Sequence, residues 1–303
     1  AYNDKTLPLA YYYTWGFALH SVNDNNKAVD VFKLGLQKDT AQYYLYYFAI
    51  GWILDIQKNI NEAMEWYRKA AAANPYYYQI YNNIGWAYGR LNNKDSAIYY
   101  YQKALQVNPG YITTLYNLGD VYYQDLVDDS AIYYYKKLSR VLTTPDADLF
   151  NRIGTSYDYT GQPDSALVYY LKAIEADRNK PDYYNNAALI YFNKKMYEKA
   201  IYYYEKAGSL ATKGVKKYIY LALSYAYLSD DKKAEGILQE GIKVDTASAD
   251  KHLYYYNLGW LKNKQQKPDE AIRWYKKSVT QKPSYPDAYN NLGYIYDRQG
   301  KKD

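Results

Sequence analysis

The amino-acid sequence predicts an all-α chain built from one repeated pair of antiparallel helices. A small residue, Gly or Ala, recurs at intervals of 34, 35 or 37 residues. Within each interval, apolar residues fall at helical spacing in two runs of about 12 residues, separated by a short polar turn. An alanine follows 12 residues after each of the first eight small residues, and a large apolar residue, usually tyrosine, follows four positions later. The small positions are Gly16, Gly51, Gly85, Gly119, Gly154, Ala188, Ala222, Gly259 and Gly293.

Each element of the repeat has a physical reason. The small position in the first helix and the alanine in the second helix let the two helices approach closely, and the large residue fills the gap beside them. The turn between the helices often supplies Pro and Asp, as at Pro163–Asp164 and Pro268–Asp269. Both residue types suit the first turn of a helix, through the fixed φ of proline and the positive helix N-terminus. The one interval of 37 residues predicts an insertion in the loop at about 246–250.

The two most regular repeats identify a family resemblance. Residues 81–109 (YNNIGWAYGRLNNKDSAIYYYQKALQVNP) and 256–283 (YNLGWLKNKQQKPDEAIRWYKKSVTQKP) resemble the tetratricopeptide repeat family. The resemblance covers essentially the whole chain and implies a right-handed α-solenoid of about 8.5 tetratricopeptide helix-turn-helix repeats, with the first helices on the concave side. It predicts one solenoid over residues 1–303. The expected repeats span about residues 9–43, 44–77, 78–111, 112–146, 147–180, 181–214, 215–251 and 252–285, with a partial repeat at 286–303.

Composition and motifs predict that the chain is not an enzyme and holds no metal or cofactor. It has no cysteine and two histidines far apart in sequence, and it has no phosphate-binding, dinucleotide-binding or nucleophile-elbow motif. The net charge of +6 is mild and evenly spread, so no nucleic-acid partner is expected. No run approaches the roughly 20 apolar residues of a transmembrane helix, so no such segment is expected.

Two rows on the first helices are candidates for partner binding. Asparagine recurs two residues before the small position, and an aromatic residue often lies one residue after it. Positions three apart share a helix face, which the resemblance places in the concave groove. A side-chain amide donates and accepts at once, so an asparagine row suits an extended peptide backbone. Two alternatives stay open, namely that asparagine is merely common at this position and that the aromatic row packs adjacent first helices together. The predicted groove residues are Asn83, Asn117, Asn186, Asn257, Asn291, Trp52, Trp86, Trp260 and Tyr294.

Tyrosine is the unusual feature of the composition, with 47 residues against 5 phenylalanines. Many tyrosines form runs in the second helices. The first members of three such runs, Tyr99, Tyr133 and Tyr202, fall where the repeat usually carries a polar residue, which predicts an exposed tyrosine stripe. A repeating aromatic surface is typical of an interaction site, although single exposed aromatics are ordinary. The stripe is a candidate for binding protein or carbohydrate, for lateral packing of copies, or for O-linked modification.

The sequence therefore predicts a non-enzymatic scaffold that binds an extended peptide or partner protein in the concave groove. The alternative is a structural subunit of a self-assembling extracellular fibre, stacked head-to-tail or laterally through tyrosine-rich surfaces, with O-glycosylation of the chain left open. This alternative rests partly on the last helix, where Leu292, Ile295 and Tyr296 are expected to lie uncovered. The expected partners are a protein or peptide ligand, or copies of the chain, and carbohydrate stays open. The sequence leaves the compartment open, and a fibre would slightly favour an extracellular or periplasmic one.

Overall fold

A computed structural model describes residues 9–38, 42–126, 128–210, 215–244 and 249–300. These residues form 17 α-helices and no strand. Each described helix has 13 or 14 residues, as the two helical runs of the repeat predict. None of them is long and apolar enough to cross a membrane. The helices alternate between first and second members of a pair, so the predicted all-α repeat fold is confirmed.

The chain divides into two compact units, Ala1–Pro145 (unit 1) and Asp146–Asp303 (unit 2). Unit 1 contains four pairs, with the odd-numbered helices as first members. Its helices are α1 (Leu9–Ser21), α2 (Asn25–Lys38), α3 (Tyr43–Ile56), α4 (Ile60–Ala73), α5 (Tyr78–Arg90), α6 (Lys94–Val107), α7 (Ile112–Gln124) and α8 (Asp128–Val141).

Unit 2 contains four further pairs and an additional first helix. Its helices are α9 (Ala147–Tyr159), α10 (Pro163–Ala176), α11 (Pro181–Asn193), α12 (Tyr197–Leu210), α13 (Val215–Tyr227), α14 (Asp231–Val244), α15 (Lys251–Lys264), α16 (Pro268–Gln281) and α17 (Pro286–Arg298). Proline begins four of these helices, where its missing N–H costs no hydrogen bond.

Packing within a pair depends on the small position. A Cβ atom built on Gly85 would lie 2.7 Å from the ring of Tyr101, and one on Gly119 would lie 2.5 Å from the ring of Tyr135. These distances are shorter than van der Waals contact, so only glycine fits without displacement of the tyrosine. The predicted close approach of the two helices is therefore present, with the tyrosine filling the space beside the glycine.

The first helix of every pair ends in the same backbone conformation. The residue seven positions after each small position has a positive φ, between 57° and 72°, and only two of these nine residues are glycine. This left-handed conformation closes the helix, as where the N–H of Asn93 donates to the carbonyl oxygen of Tyr88 at 2.9 Å. The residues in this conformation are Asn23, Lys58, Asn92, Leu126, Gly161, Lys195, Ser229, Gln266 and Gly300.

The first helices lie side by side on one face of each unit. In unit 1, α3 contacts α5 and α5 contacts α7; in unit 2, α11 contacts α13 and α13 contacts α15. Successive second helices contact one another less. Each unit is therefore a repeat solenoid with its first helices on the inner side, and we call this surface the first-helix face.

Two expectations about loops and ends need correction or restriction. Leu292 and Ile295 of α17 are only 7% and 3% exposed, because they pack against Ile272 and Tyr275 of α16. The prediction that the apolar residues of this helix lie uncovered is therefore wrong for these two residues. Of the insertion predicted at 246–250, residues 246–248 lie outside the described residues. The prediction of one continuous solenoid over 1–303 stays a prediction.

Candidate interaction surface

The asparagines two residues before the small position connect neighbouring repeats. The Nδ2 of Asn117 donates to the Oδ1 of Asn82 at 3.3 Å in unit 1, and the Nδ2 of Asn186 donates to the Oδ1 of Asn151 at 2.9 Å in unit 2. Both acceptors lie three residues before the small position of the preceding repeat. The same geometric relation therefore recurs in the two units.

Tyrosine hydroxyls serve as acceptors for two other members of the row. The Nδ2 of Asn291 donates to the hydroxyl of Tyr256 at 3.2 Å and to that of Tyr275 at 3.1 Å. Tyr256 again lies three residues before a small position, and Tyr275 is the large residue of the second helix. In unit 1, the Nδ2 of Asn83 donates to the hydroxyl of Tyr67, at the position equivalent to Tyr275, at 3.4 Å.

Asn257 does not fit the predicted row. Its side chain is buried, and its Nδ2 donates to the carbonyl oxygen of Leu253 in its own helix at 2.8 Å. The residue three before the preceding small position is here Ile219, which offers no acceptor. The prediction that Asn257 belongs to the accessible groove row therefore does not hold, because its side chain is buried and its amide is bound within α15.

These contacts give a reason for tyrosine beside the glycine in the pairs where its hydroxyl finds a partner, whereas Phe32 fills the same space beside Gly16 in the first pair. The ring fills the space between the helices, while the hydroxyl reaches polar side chains of the first-helix face. In two further repeats, the hydroxyl of Tyr135 donates to the carboxylate of Asp120, and that of Tyr170 donates to the Oγ1 of Thr155 at 3.5 Å. These hydroxyl contacts account for part of the excess of tyrosine.

The aromatic row divides into packed and accessible members. Trp52 contacts Phe17, with ring centroids 5.6 Å apart, and His20 at 4.8 Å. Trp260 contacts Tyr227 at 5.7 Å. These two tryptophans pack adjacent first helices together, as the alternative interpretation expects.

Trp86 and Tyr294 are the accessible members of the row, with 50% and 56% of their surface exposed. Each lines a depression between successive first helices. The depression around Trp86, in unit 1, has a volume of about 320 Å³, and that around Tyr294, in unit 2, about 440 Å³. The first is lined by Trp86, Gly89, Arg90, Tyr101, Asn117, Asp120, Val121 and Gln124. The second is lined by Asn263, Gln266, Pro268, Tyr294, Ile295, Arg298 and Gln299.

The charged groups of the unit 1 depression are held by other groups of the chain. An Nη1 of Arg90 lies 2.5 Å from a carboxylate oxygen of Asp55 and donates to its backbone carbonyl at 2.8 Å. Burial raises the pKa of Asp55, and Arg90 opposes this shift. Asp120 accepts from the hydroxyl of Tyr135. Burial, with a contribution from Asp120, also raises the pKa of Tyr101, so this phenol stays protonated near neutral pH.

The unit 2 depression carries a less constrained cation. Arg298 is exposed, and its Nη1 donates to the hydroxyl of Tyr294 at 3.4 Å. The guanidinium lies 5.8 Å from the centroid of the same ring. The neighbouring amide of Gln299 donates to Asp269 at 3.2 Å. This depression therefore combines a phenol, an arginine and several amides.

The second helices carry the tyrosine stripe. Tyr99, Tyr133 and Tyr202 are each more than half exposed, which agrees with the surface position expected for them. Each contacts the next tyrosine of its own run edge-on, at centroid distances of 5.1, 4.9 and 5.1 Å. Their role as an interface or modification site stays a hypothesis.

The second members of these runs form stacked pairs that sequence reasoning missed. Tyr100 stacks on Tyr88 at 5.5 Å, and Tyr134 stacks on Tyr122 at 5.7 Å. In unit 2, the equivalent pairs Tyr157–Tyr169 and Tyr191–Tyr203 stack at 5.5 and 5.2 Å. In each pair, one tyrosine lies three residues after the small position and the other 15 residues after it. This constant spacing was the available signal.

Family comparisons agree with the repeat. Tetratricopeptide repeat models match residues 44–77, 78–111, 147–180, 181–213 and 259–300, and a Sel1 repeat model matches residues 114–140. The chain is a tetratricopeptide repeat protein. All the family models that match the chain are models of repeats, and none of them indicates a catalytic family.

Curated relatives of this tetratricopeptide repeat protein are distant. Response regulator aspartate phosphatase E of Bacillus subtilis (strain 168) is 26% identical over 178 residues, which is 51% of this chain and 48% of the relative. The BBSome complex member BBS4 homolog of Drosophila melanogaster is 24% identical over 46% of this chain and 28% of its own length. The chain thus spans about half or less of the length of these relatives.

Solved structures share the fold at low identity. YrrB has a TM-score of 0.54 and 23% identity, covering 60% of this chain and 93% of its own. MamA has a TM-score of 0.53 and 24% identity, covering 57% and 94%. A tetratricopeptide repeat protein of Parabacteroides merdae ATCC 43184 has a TM-score of 0.53 and 18% identity, covering 83% and 98%. These similarities support the all-α repeat solenoid.

Proposed function

We propose that this tetratricopeptide repeat protein is a non-enzymatic interaction scaffold that binds an extended peptide, or an extended segment of a partner protein, on the first-helix face of unit 1. The observation that carries the proposal is the half-exposed indole of Trp86 in a depression between α5 and α7. Tryptophan in a concave site is a common anchor of protein interfaces, because it buries a large apolar area at low entropic cost.

The asparagine row contributes through Asn117 in particular. Asn117 lines the depression, and one N–H of its amide is used by Asn82. Its Oδ1 is an acceptor for a backbone N–H of the ligand, which would hold an extended chain without regard to its side chains. In this proposal the asparagine row mainly fixes the spacing of neighbouring repeats. In unit 1, Asn117 is the member of the row that also contacts the ligand.

The similarity to YrrB also supports peptide binding. YrrB is described as a tetratricopeptide repeat protein with an unusual peptide-binding site, and it shares the fold over 60% of this chain. The fibre alternative is weaker than the sequence suggested. The apolar residues Leu292 and Ile295 were expected to be exposed and available for contact with another copy, but they are buried within unit 2.

The test is a selection of peptides from a display library on the full chain, followed by affinity measurements on variants. Trp86→Ala should weaken binding by about tenfold or more, since truncation of an anchor costs at least about 1–2 kcal/mol. Tyr99→Ala, on the second helix of the same repeat, should leave affinity unchanged. The same is expected of Tyr76→Ser, since Tyr76 is 80% exposed in the loop between α4 and α5. Loss of binding in Tyr99→Ala with full binding in Trp86→Ala would move the interface to the tyrosine stripe.

A further inference from the structure

We infer that the depression around Trp86 receives one uncharged apolar side chain of the bound segment, such as Leu, Met or Phe. This inference rests on the proposed function and specifies the ligand that the site selects. The size of the depression, the glycine beside it and the contacts of the charged groups in its wall all favour such a side chain.

The size of the depression fits a single side chain. Its volume of about 320 Å³ is at the lower end of the range of ligand pockets, roughly 300–1,000 Å³. The indole of Trp86, the ring of Tyr101 and the side chain of Val121 provide apolar surface around it. An apolar side chain placed there would replace water on these surfaces, which is the main source of affinity for such groups.

Gly89 keeps the depression open. Glycine in a helix is less stable than alanine, and α5 carries two glycines with different surroundings. For Gly85 in the same helix the reason is packing, because a Cβ would lie 2.7 Å from the ring of Tyr101. A Cβ on Gly89 would meet nothing within 4 Å, so packing within the chain does not demand glycine there. A larger side chain at this position would extend into the space that the ligand occupies.

The charged groups of the wall favour a neutral occupant. The guanidinium of Arg90 already binds both the carboxylate and the backbone carbonyl of Asp55. The carboxylate of Asp120 already accepts from the hydroxyl of Tyr135. A charged ligand side chain would lose part of its own hydration, and it would meet a guanidinium nitrogen and a carboxylate oxygen that already have partners. An apolar side chain meets neither cost, so the lining complements a neutral group.

The experiment uses the full chain and immobilised decapeptide libraries that are degenerate except for one fixed central residue. The fixed residue is Leu, Phe, Lys or Glu. We expect the Leu and Phe libraries to retain about tenfold more protein than the Lys and Glu libraries. The preference should persist between about 0.05 and about 0.5 M NaCl, because screening weakens only ionic contacts.

Two leucine substitutions localise the effect. Gly89→Leu should abolish the preference for Leu and Phe without lowering the unfolding midpoint, since its side chain enters open space. Gly236→Leu is the matched control, because a Cβ on this exposed helical glycine of α14 also meets nothing within 4 Å. It should bind like the unmodified chain.

The outcomes separate the two proposals. Preference for the Lys or Glu library, or a preference abolished by salt, overturns the apolar pocket while peptide binding stands. If Trp86→Ala abolishes binding but Gly89→Leu keeps both binding and the preference for Leu and Phe, the ligand contacts the indole outside the depression. This result also overturns the apolar pocket while peptide binding stands. Absence of binding to every library overturns the inference and the proposed function together.

Discussion

The depression of unit 1 and that of unit 2 occupy the same place in the repeat and differ in chemistry. Counted from the small position, Gly89 of unit 1 corresponds to Asn263 of unit 2, and Asp120 corresponds to Tyr294. The depression of unit 1 thus has a glycine, Gly89, beside the accessible indole of Trp86. The depression of unit 2 has the amide of Asn263 beside the accessible phenol of Tyr294. The repeat therefore sets the position of each depression, while single substitutions set what each one presents.

The cations near the two sites also differ in their surroundings. Arg90 binds the buried Asp55, whereas the equivalent Lys264 binds Asp231 at 2.5 Å and the carbonyl oxygen of Ala226 at 2.7 Å. Both cations donate to a carbonyl oxygen near the C-terminus of the preceding first helix, where a positive charge is favoured. The contact between the cation and the carbonyl oxygen of the preceding first helix is therefore common to both units. A buried acidic partner of the cation, Asp55, is found at the unit 1 site of this pair.

The largest expected effect tests whether the two regions share the same packing. Gly85→Ala and Gly259→Ala each place a Cβ atom 2.7 Å from the ring of the adjacent tyrosine, Tyr101 or Tyr275. We expect each to lower the free energy of unfolding by about 1–3 kcal/mol, the usual cost of overpacking a core. Urea denaturation of the full chain measures this. A large cost in one unit with none in the other would mean that the repeat does not set equivalent packing.

The second prediction compares the amides of the two regions. Asn291→Ala removes contacts to the two hydroxyls of Tyr256 and Tyr275, whereas Asn117→Ala removes one contact to Asn82. At about 1 kcal/mol per hydrogen bond, we expect losses of about 2 and about 1 kcal/mol respectively. Thermal or urea unfolding gives both values. A greater loss for Asn117→Ala would show that the contacts to the phenols contribute little.

The third prediction concerns pH. Burial raises the pKa of Asp55 above its ordinary value of 3.8, so the folded state favours the protonated carboxyl more than the unfolded state does. The stability from this group is complete below 3.8 and is lost as pH rises through the raised folded pKa.

Urea unfolding from about pH 3 upward, for the unmodified chain and Asp55→Asn, isolates this effect as a difference. The unmodified chain should lose stability relative to Asp55→Asn as the pH rises through the range in which Asp55 ionises, because the buried carboxylate carries a cost that Arg90 only partly offsets. The opposite slope would mean that Arg90 outweighs burial. Asp231→Asn in unit 2 provides the comparison with the more exposed pair.

The smallest expected effect separates the two faces of α5. Gly89→Ala should raise the free energy of unfolding by about 0.5–1 kcal/mol, because alanine is the better helix former and its Cβ meets open space. Its neighbour Gly85→Ala is expected to act in the opposite direction. Asn263→Ala in unit 2 should also stabilise, by at most about 0.7 kcal/mol. A loss of stability in Gly89→Ala would contradict the claim that this glycine has no packing role.

Much of the fold was predictable because it depends on residues of one repeat. The recurring glycine and the tyrosine 16 residues later meet within a single helix pair, so their spacing suffices to predict their contact. The asparagine row was also recognisable. Its bonding was not, because the partners of each amide belong to the preceding repeat, as Asn82 does for Asn117 and Tyr67 for Asn83.

Accessibility of the aromatic row was less predictable for the same reason. Trp52, Trp86 and Trp260 occupy identical positions in their repeats. Whether each is covered depends on the side chains of the neighbouring first helix, as Phe17 covers Trp52 and Tyr227 covers Trp260. The pattern of a single repeat does not show which residue of the neighbouring first helix covers each tryptophan. A comparison of successive repeats would show part of this.

The tyrosines buried within the helix pairs also limit the stability of the fold in alkaline solution. Burial raises the pKa of Tyr203, a member of a stacked pair, to about 12, and that of Tyr67 is raised as well, whereas an unfolded tyrosine ionises near 10. Above about pH 10 the unfolded chain therefore gains phenolate charge that the folded chain resists, and folding stability falls with each buried phenol. A repeat packed with phenylalanine would lack this sensitivity. The hydroxyls that join first and second helices near neutral pH thus make the chain vulnerable to base, where ionisation and unfolding should proceed together.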